Sequence, residues 1–423
     1  MHALAKIIAQ HAGKSSVDPG EIVNVEPDYV MLHDRGVARV MQRFSEMGAE
    51  KVWDPSKVVV VFDHTYPAPR VQDAESQQRS RAWMKEQNIT NFFPGEGICH
   101  VILPEKGFAF PGALIVGSDS HTVTNSALGC MSTGMGHSDL GSLLSIGYNW
   151  MRVPEVVRFD IQGNLKPWVT AKDIILNILK EHGEAICTYQ AVEYAGPTVR
   201  SMSMDGRLTL CNLAVEIGAK SGYVAPDETT WNWMEGRRER DLCNPQTTDS
   251  DDDFAKVYEF DVSDLEPMVA LPHDLSKVEP ASSLSSVKID EAVLGTCTGG
   301  RLEDFQEAAN VLRGKKISPD TRLIVNPGST EVFLQANKEG LIDDLVRAGA
   351  QIGTAGCGPC SGCQLGMLGG KEIAITSSSR NFAGRIGSPD SELYVASPAT
   401  VAASAIAGCI VPPEEIMSKG GTS

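Results

Sequence analysis

The sequence predicts an α/β fold, and three observations carry that expectation. Short apolar runs alternate with amphipathic helical segments along the 423 residues, the pattern that places helices against a mostly parallel sheet. Four of those runs end just before reactive polar residues, as strands do in open α/β sheets that bind ligands beyond their C-terminal ends. Apolar content is 42% with Gly and Pro dispersed, which suits large packed cores and, at this length, more than one lobe.

Taken in order, the run 57–62 (KVVVVF) reads as a buried parallel strand that delivers Asp63 and His64 at its end. The run 113–116 does the same for Asp119, Ser120, His121 and Thr122. Thr170 and Asp173 form a capping-box pattern ahead of Ile174, Ile175, Ile178 and Leu179, and Gly183 stops that helix. The mixed-charge stretch 237–253, ending in Asp251, Asp252 and Asp253, reads as a surface excursion. The segment 280–286 (PASSLSS) is the expected linker, dividing an N-terminal part, 1–285, from a C-terminal part, 286–423. In the latter, 291–294 precedes Cys297 and 323–325 precedes Asn326, Pro327, Gly328 and Ser329. Ser397 and Pro398 open a small-residue helix through Ile406 that ends at Gly408, and residues 419–423 are expected to fray. No internal repeat or low-complexity tract interrupts this order.

The formal charge of −17 argues against a nucleic-acid or anionic-membrane partner, since either needs a concentrated basic face. It leaves anionic substrates open, because a local arginine pair can bind a carboxylate inside an acidic protein. No apolar run approaches the roughly 20 residues of a membrane helix. The N-terminus, from Met1 to His11, lacks the apolar core of a signal peptide and the Arg-rich bias of a transit peptide. Ten cysteines in so long a chain do not read as a disulfide framework, and Cys99, Cys130, Cys211 and Cys409 read as plain buried thiols. A soluble protein of the reducing cytoplasm is expected.

The chemistry-bearing residues begin with Cys297, in Gly-Thr-Cys-Thr-Gly-Gly-Arg, and Cys357 and Cys360, in Cys-Gly-Pro-Cys, with Cys363 close behind. Three explanations stand open: an iron–sulfur cluster held by three thiolates, a four-ligand structural zinc, or a redox pair. A cluster with only three protein ligands keeps one iron free to act as a Lewis acid on substrate oxygens. Downstream, Arg380 and Arg385 set two guanidinium groups five residues apart, a pattern that in isolation is more often a solvated surface pair but also matches carboxylates bidentately. Of only nine histidines, four stand beside acids or strand ends: His33 next to Asp34, His64 next to Asp63, His121 near Asp119, and His100 in Gly-Ile-Cys-His. A lone histidine after a strand is usually structural. An imidazole paired with a carboxylate can give a proton to a leaving hydroxyl.

These motifs together resemble the large subunit of the aconitase superfamily, in its 3-isopropylmalate dehydratase and homoaconitase branch. The resemblance covers nearly the whole chain. It includes His-Ala-Gly-Lys at 11–14, Pro-Gly-Glu-Ile-Val at 19–23, Asp-His-Thr at 63–65, Gly-Ile-Cys-His at 97–100 and Asp-Ser-His-Thr at 119–122. It continues through Cys211, Asn212 and Glu216, Val-Ala-Pro-Asp-Glu-Thr-Thr at 224–230, the Cys297 segment, the Cys-Gly-Pro-Cys pair and Arg-Asn-Phe at 380–382. It implies aconitase-like α/β/α lobes, three related subdomains around a [4Fe-4S] cluster, without the swivelling domain of full-length aconitases. It implies a hydro-lyase acting on a small hydroxy dicarboxylic or tricarboxylic acid by reversible dehydration and rehydration.

Residue by residue, the resemblance implies that Cys297, Cys357 and Cys360 hold the cluster. Asp63 with His64, His100, and Asp119 with His121 match the acid and imidazole pairs around the substrate hydroxyl. Glu216 and Asn212 match a polar pair near the cluster. His33 and Ser120 match substrate-contacting positions, and Arg380 and Arg385 match arginines that hold substrate carboxylates. A separate small subunit is implied, supplying the serine base. Departures are Gly299 and Ser379 where the family usually carries Asn, Val101 where Gln often follows Ile-Cys-His, Arg35 in place of a small residue, and the extra thiol Cys363. They leave open which acid is turned over: 3-isopropylmalate, homocitrate, citramalate, maleate or dimethylmalate. The rivals are an iron–sulfur or zinc-binding regulator without catalysis and a zinc-stabilised scaffold, and elemental analysis separates them.

Overall fold

The architecture comes from a computed structural model that describes residues 1–362 and 364–418. Cys363 and the stretch 419–423 therefore lie outside the described residues. The chain forms two compact units, each interrupted in sequence. The first comprises Met1–Pro94, Cys99–Gly163 and Ala185–Asp261; the second comprises Gly95–Ile98, Asn164–Glu184 and Val262–Ser423. The expected division at 285/286 falls inside the second unit. There Pro280 pairs with Met268 across an antiparallel ladder and Ala281 is fully buried, while Ser282, Ser283, Ser285 and Ser286 are exposed.

In the first unit a five-stranded sheet runs in the order Asn91–Pro94, Val58–Phe62, Tyr29–His33, Leu114–Gly117, Met131–Gly134, every pair parallel. Val58–Phe62 is buried along its length, as expected for a strand with helices on both faces, and β-branched side chains fit that pleat. Burying each such side chain contributes about 1.5–3 kcal/mol. Val30, Leu32, Val58, Val60 and Phe62 share one core with Val37, Val40 and Phe44 of the helix Asp34–Glu46. The strand order reverses between Tyr29–His33 and Leu114–Gly117. A crevice at such a reversal, beyond the C-terminal strand ends, is where open α/β sheets bind ligands. A second parallel sheet in this unit orders Gly222–Tyr223, Ala191–Ala195, Val156–Gln162, Lys256–Asp261.

The second unit is built on a seven-stranded sheet in the order Val278–Pro280, Met268–Ala270, Glu392–Ala396, Ile373–Thr376, Glu291–Gly295, Arg322–Asn326, Gln351–Ile352. The last five are mutually parallel and the first two add an antiparallel edge. The reversal here lies between Glu291–Gly295 and Ile373–Thr376. The parallel part repeats the strand order of the five-stranded sheet, as related lobes would. The helix Ala171–His182 belongs to this unit. It has the Thr170–Asp173 capping box and the Gly183 C-cap that the sequence predicts, and Asp173 also accepts the Met268 amide at 2.8 Å.

The helix Pro398–Ala407 ends at Gly408 as expected. The 237–253 stretch is largely exposed. Cys99, Cys130 and Cys211 are buried, whereas Cys409 is only half-buried. No helix among the described residues is long and apolar enough to cross a membrane.

Candidate functional site

The first unit gathers seven of the expected residues into one hydrogen-bonded network. His33 ends its strand, Asp63 and His64 follow Val58–Phe62, and Asp119 follows Leu114–Gly117. The ends of Tyr29–His33 and Leu114–Gly117 flank the reversal in strand order, and Val58–Phe62 is the next strand over. His64 Nδ1 donates to Asp63 Oδ1 at 2.7 Å, and its Nε2 lies 3.4 Å from Asp119 Oδ2. Asp119 Oδ1 accepts from His100 Nε2 at 2.9 Å and from the His121 amide at 2.7 Å. His121 Nε2 in turn donates to Glu216 Oε1 at 2.9 Å. The His33 ring stacks on His64 with centroids 4.2 Å apart, held by its Nε2 donating to the Ser118 carbonyl at 3.2 Å.

Adjacency in sequence misassigns one of the pairs and gives another only in part. Asp119 caps the 3₁₀ helix Ser120–Leu128 through the His121 backbone and also faces the His121 ring, with Oδ1 3.5 Å from Nδ1. The ring hydrogen-bonded to it is nevertheless His100, and the carboxylate hydrogen-bonded to the His121 ring is Glu216. Asp34 does not pair with His33. It accepts the amides of His64 at 3.0 Å and Thr65 at 2.7 Å, fixing the turn that presents His64. Asp34 is expected from the sequence only as the neighbour of His33, whereas Ser118 and the Cys99 amide, which donates to Asp63 at 2.8 Å, carry no signal in the sequence.

Electrostatics follow from these contacts. Burial raises the Asp63 carboxyl, but the charge and hydrogen bond of His64 outweigh it and hold the group at about 2. For Asp119 burial is again opposed, by His100 first and then by hydrogen bonds from His121 and His64, so it lies well below the carboxylate range. Burial, aided by His64, pulls His33 down to about 4. The network therefore holds ionised carboxylates beside imidazoles, an arrangement fit for moving protons.

Ser120 lines a cleft of about 360 Å³ next to Asp119, walled also by Val123, Met135, Val215 and Lys220. Asn212 is fully buried. Its Nδ2 donates to Thr124 Oγ1 at 2.8 Å, and Thr124 donates to the His121 carbonyl at 2.6 Å. Its Oδ1 has no hydrogen-bond partner among the described residues. The donor atoms of His100, Asp119 and His121 lie within 4.8 Å of one another and could hold a cation.

In the second unit Cys297 lies two residues past the strand Glu291–Gly295. Thr296 turns the chain there at φ +68°, a costly conformation for a β-branched residue and one that clusters at functional sites. Cys357 is the N-cap of the short 3₁₀ turn Gly358–Ser361, and Cys360 lies within that turn. Both cysteine loops are tied to one segment: the Gly328 amide donates to the Gly300 carbonyl at 2.7 Å, and the Gly356 amide donates to the Pro327 carbonyl at 3.1 Å. All three thiols are buried. Arg385 Nη2 donates to Cys360 Sγ at 3.3 Å, and Arg301 Nη1 to the Cys297 carbonyl at 2.5 Å. Arg380 follows the neighbouring strand Ile373–Thr376 across the loop 377–379.

Three buried free thiols on loops tied to one segment form a donor set that fits a group taking thiolate ligands, and an iron–sulfur cluster is such a group.

Comparison with known proteins agrees with this chemistry. The model of the aconitase family (aconitate hydratase) matches residues 5–281 and 274–408. A 3-isopropylmalate dehydratase large subunit from Halothermothrix orenii is 43% identical over 99% of this chain and 100% of its own. A probable 3-isopropylmalate dehydratase large subunit from Methanothermobacter thermautotrophicus is 44% identical over 96% of this chain and 97% of its own. A probable methanogen homoaconitase large subunit from the same organism is 42% identical over 99% of both chains.

Proposed function

This chain belongs to the aconitase family, and on that premise we propose that it is the large subunit of a 3-isopropylmalate dehydratase. As a hydro-lyase it removes water from a small hydroxy dicarboxylic acid and adds it back. The observation that carries this reading is the Asp119 network, in which ionised carboxylates anchor His64, His100 and His121 at the strand-order reversal.

Cys297, Cys357 and Cys360 would hold a [4Fe-4S] cluster. When bound, such a cluster supplies a Lewis-acidic iron with a position open to substrate oxygens. Asp119 holds His100, and Glu216 holds His121, each in the tautomer that carries a proton on Nε2. One of these imidazoles, carrying a second proton on Nδ1, gives that proton to the departing hydroxyl and is left neutral, and in the reverse direction its Nδ1 takes the proton back from water. Asp63 orients His64, while His33 and Ser120 contact the substrate and Asn212 offers its free carbonyl oxygen. Arg380 and Arg385 offset the substrate carboxylates and orient the acid. Removing the neighbouring C–H proton falls to a serine of a separate small subunit, in keeping with relatives that are themselves large subunits. The lone chain then binds the cluster and turns over little.

A second reading, homoaconitase large subunit, is favoured by the 42% identical relative of that name. The test is an anaerobic assay of the co-expressed subunits against 3-isopropylmalate, homocitrate, citramalate, maleate and dimethylmalate, with Cys360→Ser alongside. Turnover of 3-isopropylmalate foremost, lost together with iron in Cys360→Ser, is expected. Preference for homocitrate selects the second reading, and full activity of the iron-free variant overturns both.

A further inference from the structure

Lys172 occupies an unfavourable place for a cation. It lies in the first turn of the helix Ala171–His182, where the helix dipole repels positive charge, and its side chain is 1% exposed. A buried ammonium is costly unless paired. Yet the carboxylates that act on it, Asp304 and Asp173, do so by charge through space and not by a hydrogen bond. Its three donors go instead to neutral acceptors: Thr298 Oγ1 at 3.0 Å, the Ser378 carbonyl at 3.0 Å and the Ser377 carbonyl. Thr298 Oγ1 also donates to the Ser377 carbonyl at 2.8 Å.

These acceptors lie on the two loops that leave Glu291–Gly295 and Ile373–Thr376, the strands between which the order reverses. One loop carries Cys297 and the other leads to Arg380. The ammonium is therefore hydrogen-bonded in full while its charge has no direct counterpart. Burial brings it down to about 8, opposed by Asp304, Cys297, Asp173 and Cys360 in that order. Two of those four opposing groups are expected ligand cysteines.

We propose that Lys172 is a positioning residue, the buried counter-cation of the thiolate-held cluster, tying the Cys297 loop to the Arg380 loop. This rests on the cluster reading of Cys297, Cys357 and Cys360 above. Ligation holds the cysteines as thiolates and so adds fixed negative charge near Lys172 to that of Asp304 and Asp173. The same cation then disfavours the unloaded fold and favours the loaded one.

The experiment compares the wild type, Lys172→Met and Lys172→Gln in the full chain, by thermal unfolding without metal, anaerobic iron and sulfide retention, and an EPR-monitored redox titration. Both variants are expected to unfold, without metal, at the wild-type temperature or above. Their cluster affinity should fall about 10-fold to 100-fold, the usual cost of losing an outer-shell partner. Their reduction potential should fall, because removing a nearby positive charge disfavours adding an electron. If Lys172→Met does not fold, Lys172→Gln, which keeps hydrogen-bond donors without charge, decides. Wild-type iron retention and potential in Lys172→Gln overturn the proposal and leave Lys172 a neutral hydrogen-bonding post. A wild type that takes up no iron and sulfide overturns the cluster reading itself.

Discussion

Asp119 is the hinge of the first unit's chemistry because its two oxygens serve different imidazoles while its position caps a turn. Glu216 gives the cleanest test of the proton-handling role. In Glu216→Gln, His121 loses the carboxylate partner of its ring, and kcat should fall about 10²–10⁴-fold with iron content unchanged. Steady-state kinetics with iron analysis check this; a variant that keeps wild-type kcat removes His121 and Glu216 from the mechanism. His33 makes a pH prediction. Its pKa falls from the ordinary 6.5 to about 4, so the unfolded chain takes up a proton that the folded chain refuses. Its contribution to stability is complete above 6.5 and is lost as pH drops toward about 4. Denaturant unfolding at several pH values should show that limb, flattened in His33→Gln. Asp63 beside His64 was legible as a pair because the dipeptide ends a strand. His100 with Asp119 and His121 with Glu216 were not, because side-chain direction in a capped 3₁₀ turn is invisible in spacing.

At the level of elements, the parallel strands announced themselves. Val58–Phe62, Leu114–Gly117, Glu291–Gly295 and Arg322–Asn326 are all apolar runs ending in polar residues, and each was placed to within one residue. The helix Ala171–His182 was equally plain from its capping box and its terminal Gly183. The antiparallel edge of Met268–Ala270 and Val278–Pro280 is hidden in the sequence, since three residues are too few to show a strand period and Pro280 opens the stretch 280–286 that reads as linker. The turn bearing Cys357 and Cys360 depends on Gly358, at φ +55°, where an added Cβ would stand 2.4 Å from Asn326 Oδ1. Gly358→Ala should cost about 1–3 kcal/mol in backbone strain and contact and lower iron uptake. Thermal unfolding and iron analysis read both, and a variant with unaltered melting and iron would show that the turn tolerates a side chain.

Over the whole molecule, the chain contributes Gly95–Ile98 to the second unit, enters it again at Asn164, returns to the first at Ala185 and leaves that after Asp261. Composition gave no sign of this interleaving. The allegiance of the Asn164–Glu184 segment is decided by bonds such as Asp173 to Met268, 95 residues away, and a sequence scan for linkers cannot see them. The motif set, by contrast, identified the family across nearly the full length, because the site is assembled from short segments that keep their residue types wherever the chain carries them. The proposed function turns on the cluster expected at Cys297, Cys357 and Cys360, with three irons on thiolates and one on none. The decisive measurement is an iron and acid-labile sulfide count on anaerobically prepared protein, before and after mild oxidation, with zinc measured in parallel. Four irons falling to three, with the fourth restored by ferrous iron and sulfide unchanged, is the expected result. Retention of all four irons, or zinc in place of iron and sulfide, would contradict it.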